Sequence, residues 1–148
     1  MKSISFFFVL FIMITGGCSS MDDKASETGL LPPCPITPNC VSSQSKDSVQ
    51  HIDPIKYSGM SKNEAMEKMI QLLESEKRCR IVKTDKGKFG YIHAEFRSFV
   101  FRFTDDVEFL FPPDQNIIDV RSASRLGISD LGVNRRRVEH IRGRFISE

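Results

Sequence analysis

The sequence has no tryptophan and only two tyrosines among its 148 residues. Sugar-binding platforms are commonly built from these aromatic side chains, so their scarcity argues against a carbohydrate-binding module. The chain also lacks the G-x-S-x-G, H-E-x-x-H and glycine-rich phosphate-loop patterns that mark serine hydrolases, zinc proteases and nucleotide-binding enzymes. These absences favour a non-catalytic protein, and they give no reason to expect a cofactor.

No apolar run is long enough to cross a bilayer, which takes about 20 residues. The run at residues 4–14 has eleven residues, is interrupted only by Ser5 and follows the positive charge of Lys2. Its length and flanks are those of a signal-peptide core. The run leads into Thr15-Gly16-Gly17-Cys18, which resembles the lipobox of bacterial lipoproteins, with threonine where leucine is usual. An uncleaved anchor and ordinary secretion are the alternatives.

These features predict where the protein is located and how it is divided. We expect a lipoprotein signal peptide over residues 1–17, lipidation of Cys18, a polar tether over residues 18–33 and a single α+β domain over residues 34–148. The lipid would hold the exported protein at the cell envelope, because two acyl chains already give stable anchoring. Ser19 favours the periplasmic face of the outer membrane if the host is Gram-negative. The membrane is therefore the first expected partner.

Three further cysteines belong to the predicted domain, in a compartment where disulfides form. Cys34 and Cys40 enclose two prolines in a seven-residue segment. We expect them to form a disulfide that contributes about 2 kcal/mol. Cys79 is left over and is expected to be buried and inert. A zinc site formed by these cysteines with His51 or His93 is the alternative, although no C-x-x-C or H-x-x-x-H spacing supports it.

Charge is divided unequally along the chain. Residues 22–76 hold nine acidic and five basic side chains, whereas residues 77–148 hold ten acidic and fifteen basic ones. A basic half of the chain can bind acidic proteins, anionic small ligands or lipid headgroups. Nucleic acid is not expected as a partner, because an exported protein seldom meets it and the basic residues are interleaved with acidic ones.

Two segments have the pattern of helices. Ser61 and Glu64 form a capping box ahead of apolar residues at helical spacing, which predicts an amphipathic helix that ends at Glu76. Near the C-terminus, Asn134 can cap a shorter helix. The apolar side of that helix is formed by Val138, Ile141 and Phe145.

Between the two helices, apolar residues alternate with polar ones, a pattern typical of strands. Turn-forming residues leave only short connections between the runs, so the strands should form an antiparallel meander. We therefore predict an α+β fold: a meander sheet of four to five strands, an amphipathic helix before it and a short C-terminal helix packed on its apolar face. The predicted strands are residues 80–84, 89–96, 99–103, 107–111 and 117–122, with turns that include 97–98 and 104–106.

Keeping the phenylalanines on one face of this sheet places charged residues on the other. A solvated face often carries such charges, because cross-strand pairs contribute up to about 1 kcal/mol and discourage aggregation. The alternative is the floor of a groove in which arginines clamp an anion. The predicted row across four strands consists of His93, Arg102, Glu108 and Arg121, with Glu95 and Asp119 as diagonal neighbours.

The segment 119–137 favours the groove, because it brings serine hydroxyls and arginines to the start of the last helix, where free N–H groups attract anions. The same residue types are also what a loop and a helix cap require. No catalytic or metal-binding residue is assigned. The candidate ligand-binding residues are His93, Glu95, Arg102, Glu108, Asp119, Arg121, Ser122, Ser124, Arg125, Asn134 and Arg135.

Two functions remain open at this point. The first is a non-catalytic envelope protein that binds an acidic partner or an anionic ligand through the four arginines of this set. The second is a small hydrolase or isomerase that uses His93 as acid or base together with Glu95 or Asp119.

Five blocks of sequence occur together in the chain: Cys34-Pro35, Pro38-Asn39-Cys40-Val41-Ser42-Ser43, Ala94-Glu95-Phe96-Arg97-Ser98, Asp105-Asp106-Val107-Glu108-Phe109 and residues 119–137. This combination resembles an uncharacterised family of bacteria and plastids, domain of unknown function 1499. The resemblance covers roughly residues 33–145. It implies no particular activity. It does imply an association with membranes, because members of the family are often lipoproteins or otherwise membrane-associated.

Overall fold

The computed structural model describes residues 21–98 and 103–147 of the chain. The elements are α1 (Met21–Thr28), β1 (Cys40–Ser42), β2 (Ile55–Lys56), α2 (Lys62–Ser75), β3 (Cys79–Asp85), β4 (Gly90–Arg97), β5 (Thr104–Phe111), β6 (Ile117–Ser124) and α3 (Val133–Ser147). The strand order is β1-β6-β5-β4-β3 with β2 also paired to β6, and all of these pairs are antiparallel. The α+β fold with a helix before the meander and a helix after it is therefore confirmed.

Helices α2 and α3 pack together on one face of the sheet, the apolar face. The capping box at the start of α2 is present as predicted: the Ser61 N–H donates to the Glu64 carboxylate over 2.7 Å, and the Glu64 N–H donates to the Ser61 hydroxyl over 3.3 Å. Burial of each large apolar side chain contributes about 1.5–3 kcal/mol, so this layer forms the main core. Its members with at most 1% exposure include Met66, Met69, Leu73, Ile92, Phe109, Phe111, Ile118, Ile141 and Phe145.

The structure corrects the predicted order of strands in the middle of the sheet. β4 pairs directly with β5, so that Ile92 lies opposite Phe109. The sequence analysis placed the predicted strand 99–103 between them, and this predicted pairing was wrong; residues 99–102 themselves lie outside the described residues. Phenylalanines alternate at spacing two in both runs, and alternation alone cannot decide which run pairs with β4.

The turn between these strands is displaced accordingly. The Ser98 N–H donates to the Phe103 carbonyl over 2.9 Å, and the Phe103 N–H donates to the Ser98 hydroxyl over 2.9 Å. The loop therefore closes between these two residues rather than at 97–98. The predicted turn at 104–106 is the beginning of β5.

Helix α3 is longer than predicted and is capped by a different residue. It runs for fifteen residues from Val133. The Asp130 carboxylate accepts hydrogen bonds from the N–H groups of Asn134 and Gly132 over 2.7 and 3.0 Å. Asn134, the predicted cap, lies inside the helix and is fully buried. Aspartate and asparagine are equally good caps, so their sequence pattern could not separate them.

The segment before the disulfide packs against the second face of the sheet. Ala25 of α1 and Leu31 are buried against Tyr91 and Leu110 in a smaller apolar cluster. The sequence predicted a polar tether over residues 18–33. Of that range the structure describes 21–33, which contains α1 and three buried side chains, those of Ala25, Ser26 and Leu31. Contact with distant residues outweighs the polar composition here, which a local pattern cannot anticipate.

The predicted disulfide is present. Cys34 and Cys40 are joined with a Cα–Cα distance of 5.6 Å. Cys40 begins β1, and neither β1 nor β2 was predicted, because strands of three and two residues are too short to show an alternation. The disulfide thus constrains the chain next to the outer edge of β6.

Candidate functional site

The second face of the sheet carries the predicted row of charged residues. His93 lies opposite Glu108 across β4 and β5, and Glu108 lies opposite Arg121 across β5 and β6. Arg102, the fourth predicted member, lies outside the described residues. The other three stay aligned because direct pairing of β4 with β5 does not change which residues of each strand share a face. We call His93, Glu95, Asp106, Glu108, Arg121 and Arg125 together the charged face.

Glu108 and Arg121 form a buried ion pair within this face. Arg121 Nη1 lies 2.6 Å from Glu108 Oε2, and the two side chains are only 13% and 4% exposed. The Tyr91 hydroxyl donates to the other carboxylate oxygen over 2.8 Å. Both oxygens of Glu108 are therefore occupied. Within the part of the chain that the structure describes, Arg121 Nε is a buried side-chain nitrogen without a partner.

Asp106, which the sequence analysis did not single out, connects the rest of the charged face. Its carboxylate lies 2.8 Å from His93 Nε2 and accepts two hydrogen bonds from Arg125, over 2.7 and 2.8 Å. Burial alone would raise the pKa of Asp106, but the hydrogen bonds from His93 and Arg125 hold it well below its usual range. The prediction placed Asp106 in a turn; continuing the two-residue alternation back from Glu108 would have found it.

Glu95 is held between two arginines. Its Oε2 lies 2.7 Å from Arg80 Nη2, and its Oε1 lies 2.6 Å from Arg125 Nη2. The hydrogen bond from Arg80 is the main cause that lowers the pKa of Glu95, and Arg125 adds to it. Arg125 therefore bridges Glu95 and Asp106, and its own pKa is raised by these carboxylates. The result is a continuous network of ion pairs from Arg80 to His93.

His93 does not have the partners that the enzyme hypothesis requires. Its Nε2 is bonded to Asp106, whereas Glu95 is bonded to arginines. Asp119 accepts hydrogen bonds from residues 43 and 44 over 2.7 and 3.0 Å. A carboxylate that arginines hold in its ionised form, at a lowered pKa, is a weak proton acceptor near neutral pH. The predicted pairing of His93 with Glu95 or Asp119 is therefore corrected to His93 with Asp106.

Three other predicted ligand-binding residues, Ser122, Ser124 and Asn134, come together beneath α3, on the apolar side of the sheet. The Ser122 hydroxyl donates to Asn134 Oδ1 over 2.6 Å, and Asn134 Nδ2 donates to Ser124 Oγ over 3.1 Å. Ser122 and Asn134 have 0% exposure. These contacts fasten α3 to β6 in the interior, away from the charged face.

The same buried cluster contains an ion pair that the sequence analysis missed. Arg137 Nη2 donates to Asp105 over 2.5 Å, and Nη1 donates to Ser122 and Asn134 over 3.1 and 2.6 Å. Helical spacing could have indicated it, because residue 137 lies on the same face of α3 as Asn134 and Ile141. Burial of the pair makes it a structural contact between helix and sheet.

The predicted arginines do not converge on one site. Arg121 and Arg125 are bonded to acidic side chains of the charged face. Arg135 donates to the carbonyl groups of Val49 and His51 over 2.7 and 2.9 Å and lines a cavity of about 280 Å³ near the disulfide. The charges of the charged face are thus balanced internally.

The described residues contain neither a metal site nor a membrane span. Within 21–98 and 103–147, no group of three or more histidine, cysteine, aspartate or glutamate side chains is arranged to hold a metal ion. Over the same two ranges, no helix has both the length and the apolar character to cross a bilayer.

The thiol of Cys79 is not activated. Burial, together with the charge of Glu76, raises the pKa of the Cys79 thiol to about 12. The thiol therefore stays protonated and unreactive at neutral pH.

Comparison with known proteins gives one family. No curated protein and no solved structure matches the chain significantly. The model of the family described as "Protein of unknown function (DUF1499)" matches residues 30–145, which is most of the chain. The match includes residues 30–33, which the sequence analysis had assigned to the tether. The chain therefore belongs to the DUF1499 family of proteins of unknown function, as the resemblance of its sequence blocks predicted.

Proposed function

We propose that the protein is a lipid-anchored lipoprotein of the cell envelope, and that its folded domain binds an acidic partner or an anionic ligand without catalysing a reaction. The anchor is supported by the first eighteen residues of the sequence, where a positive charge, an apolar run and small residues precede Cys18. The binding function is supported by the arrangement of charge in the domain.

The short link between Cys18 and α1 limits how far the domain could lie from a lipid anchor. Only Ser19 and Ser20 separate Cys18 from Met21, the first residue of α1. A link of this length spans at most about 10 Å. Because Ala25 of α1 is buried against the sheet, a lipid on Cys18 would hold the domain close to the bilayer instead of on a long flexible tether.

Detergent partitioning tests the anchor. The unmodified protein should enter the detergent phase of a Triton X-114 separation and incorporate labelled palmitate, and Cys18→Ser should abolish both. Cys79→Ser is the matched control, since it removes the free cysteine of the domain and should change neither result. A Cys18→Ser protein that still partitions into detergent would contradict the lipoprotein proposal.

The contacts of Asp106 are the main support for a non-catalytic function. His93 is the candidate acid or base, and the carboxylate bonded to it is shared with Arg125 and has a lowered pKa. Proton-transfer groups need pKa values near the working pH. The acidic side chains of the charged face are instead paired with arginines. Residues 77–148 as a whole hold fifteen basic against ten acidic side chains, and such an excess attracts an anion.

Titration with a polyanion tests this function. Addition of poly-glutamate to the isotope-labelled protein at low salt should shift a defined set of amide resonances, and the shifts should diminish as salt is added, because the attraction is electrostatic. Poly-lysine of the same length is the control and should shift none of this set. If neither poly-glutamate nor inorganic phosphate binds at low salt, the proposed binding function is wrong.

A further inference from the structure

The loop between β6 and α3 exposes a group of large apolar side chains. Leu126, Ile128 and Leu131 are 63%, 77% and 84% exposed. Soluble domains seldom hold several such side chains together in solvent, and a patch of this kind marks a surface that meets a partner or a membrane. We call Leu126, Ile128 and Leu131 the apolar tip.

The apolar tip is fastened to the loop that the Cys34–Cys40 disulfide closes. Asn39 Nδ2 donates to the Gly127 carbonyl over 2.7 Å, and the Ser124 N–H donates to the Asn39 carbonyl over 3.0 Å. Ile36, in the same disulfide loop, is also exposed. The apolar side chains therefore protrude from a base that hydrogen bonds and a disulfide hold in place.

Leucine at position 131 is favoured neither by the backbone nor by packing within the domain. Leu131 has a φ of 53°, in the left-handed region that asparagine and glycine adopt at lower cost than leucine does. Its side chain is exposed, so leucine gains little from burial in the folded chain. Because folding gives no reason for a leucine here, the strained position points to a contact outside the domain.

Two arginines beside the apolar tip are bonded to neutral groups. Arg136 donates to the Leu131 carbonyl over 2.9 Å, and Arg135 donates to the carbonyl groups of residues 49 and 51. Within residues 21–98 and 103–147, neither guanidinium group is paired with a carboxylate. Asp130 is the one acidic residue of the segment 126–136, and its carboxylate accepts from backbone N–H groups. The exposed Arg136 can therefore also donate to a phosphate oxygen.

A bilayer surface suits these features better than a folded partner does. Each side chain of the apolar tip is more than half exposed, so the three protrude and do not line a groove. A protein interface needs a complementary shape, whereas a bilayer accepts protruding apolar side chains and places neighbouring arginines at its phosphate groups. A lipid on Cys18 would also hold the domain on a link of about 10 Å, where even a weak contact with the bilayer is populated.

We infer that the apolar tip inserts into the surface of an anionic phospholipid bilayer, with its three side chains among the acyl chains and Arg136 at the phosphate groups. This contact is additional to the lipid on Cys18 and rests on the anchor of the proposed function. A lipid alone leaves the domain free to rotate, whereas a second contact fixes the face that the domain turns toward the membrane.

The absence of tryptophan from the chain allows a direct test. The Ile128→Trp protein, purified in detergent, is reconstituted into vesicles of phosphatidylcholine and phosphatidylglycerol. Its fluorescence should move to shorter wavelength and be quenched by lipids that carry bromine in their acyl chains. Ile146→Trp is the matched control, because Ile146 is also exposed and lies about 20 Å along α3 from the beginning of the helix. Its fluorescence should be quenched by iodide in the water instead.

A second substitution separates contact with the bilayer from folding. In the Ile128→Trp protein, Leu131→Asn should reduce quenching by the brominated lipid, since loss of one leucine from the acyl chains weakens the contact about ten-fold. The midpoint of thermal unfolding should not fall, because asparagine adopts the left-handed conformation more readily and the lost side chain is exposed. Ile146→Asn is the control and should leave the quenching unchanged.

Flotation of the vesicles in a density gradient reports the anchor separately. If the protein floats while the Ile128→Trp fluorescence is quenched by iodide and not by brominated lipid, the bilayer contact is wrong, the anchor stands, and the apolar tip is left to a protein partner. If the protein does not float, the anchor and the bilayer contact are both wrong. Equal quenching of Ile128→Trp and Ile146→Trp by brominated lipid would overturn the apolar tip as the point of contact.

Discussion

Arg137 on α3 and Asp105 at the start of β5 form an ion pair beneath the C-terminal helix, where their side chains are only 11% and 5% exposed. Arg137 also donates to Ser122 and Asn134. Removing two charges from water is costly, and the pair is stable only while both partners and their hydrogen bonds are present. The attachment of α3 to the sheet therefore depends on a polar contact as well as on its apolar side chains.

Replacement of Asp105 by asparagine should lower the free energy of unfolding by about 3–5 kcal/mol, because Arg137 is then buried without a counter-charge. Urea denaturation followed by circular dichroism measures the change. Asp114→Asn is the control, since Asp114 is exposed in the turn between β5 and β6, and it should cost less than about 0.5 kcal/mol. Equal effects of the two substitutions would show that the pair is not structurally important.

Asn134 and Asp130 should respond differently to alanine. Asn134→Ala leaves the buried Ser122 hydroxyl and the Asn39 carbonyl without a partner that they have in the folded protein, and it should cost about 2–3 kcal/mol. Asp130→Ala removes the helix cap and should cost about 1 kcal/mol. The same unfolding measurement shows which of the two substitutions lowers the free energy of unfolding more. If Asp130→Ala were the more damaging change, Asn134 would not be the core residue that its contacts indicate.

Acidification should destabilise the protein through Glu95 and Asp106. The pKa values of both carboxyl groups are lowered in the folded state, so their contribution is fully present above the unfolded pKa of about 4. It is lost as the pH falls from there through the folded pKa values. Arg125 contacts both carboxylates, so Arg125→Gln should make the free energy of unfolding less dependent on pH in this acidic range.

Urea midpoints measured from about pH 2.5 to 7 test this pH dependence. Arg136→Gln is the control, because Arg136 donates to the Leu131 carbonyl and touches neither carboxylate. It removes the same charge, and its curve should run parallel to that of the unmodified protein. A parallel curve for Arg125→Gln would mean that Arg125 does not lower the two pKa values.

Gly90 and Gly143 should have opposite responses to an added methyl group. A Cβ at Gly90 would lie 2.3 Å from Met66 Sδ and 3.2 Å from Phe111 Cβ, both in the core. Gly90→Ala should therefore cost about 1–3 kcal/mol through overpacking. At Gly143 nothing lies within 4 Å, and alanine should stabilise α3 by about 0.5–1 kcal/mol. Thermal unfolding of the two variants should show shifts of opposite sign, and shifts of the same sign would contradict this packing.

Features that depend on residues close together in the sequence could be predicted from the sequence. The capping box of α2 joins residues three positions apart, and the Cys34–Cys40 disulfide joins residues six positions apart. The alignment of His93, Glu108 and Arg121 depends only on the two-residue alternation within each strand, so it was predicted correctly even though the pairing of the strands was not. These are short-range relationships, in which the covalent chain itself keeps the partners close.

The tertiary structure decided which distant groups meet. His93 is bonded to Asp106 only because β4 pairs directly with β5, and Asn134 is a core residue only because the Asn39 carbonyl, 95 positions away in the sequence, accepts from it. The burial of Ala25 against the sheet could not be predicted, because the residues around Ala25 in the sequence are mostly polar. Such contacts lower the free energy only once the whole chain has folded, since the entropy cost of bringing the partners together is met by burial elsewhere in the domain. The sequence by itself therefore determined α2, α3, the strands β3 to β6 and the faces of those strands. The elements α1, β1 and β2 and the partners of the charged and polar side chains followed from tertiary packing.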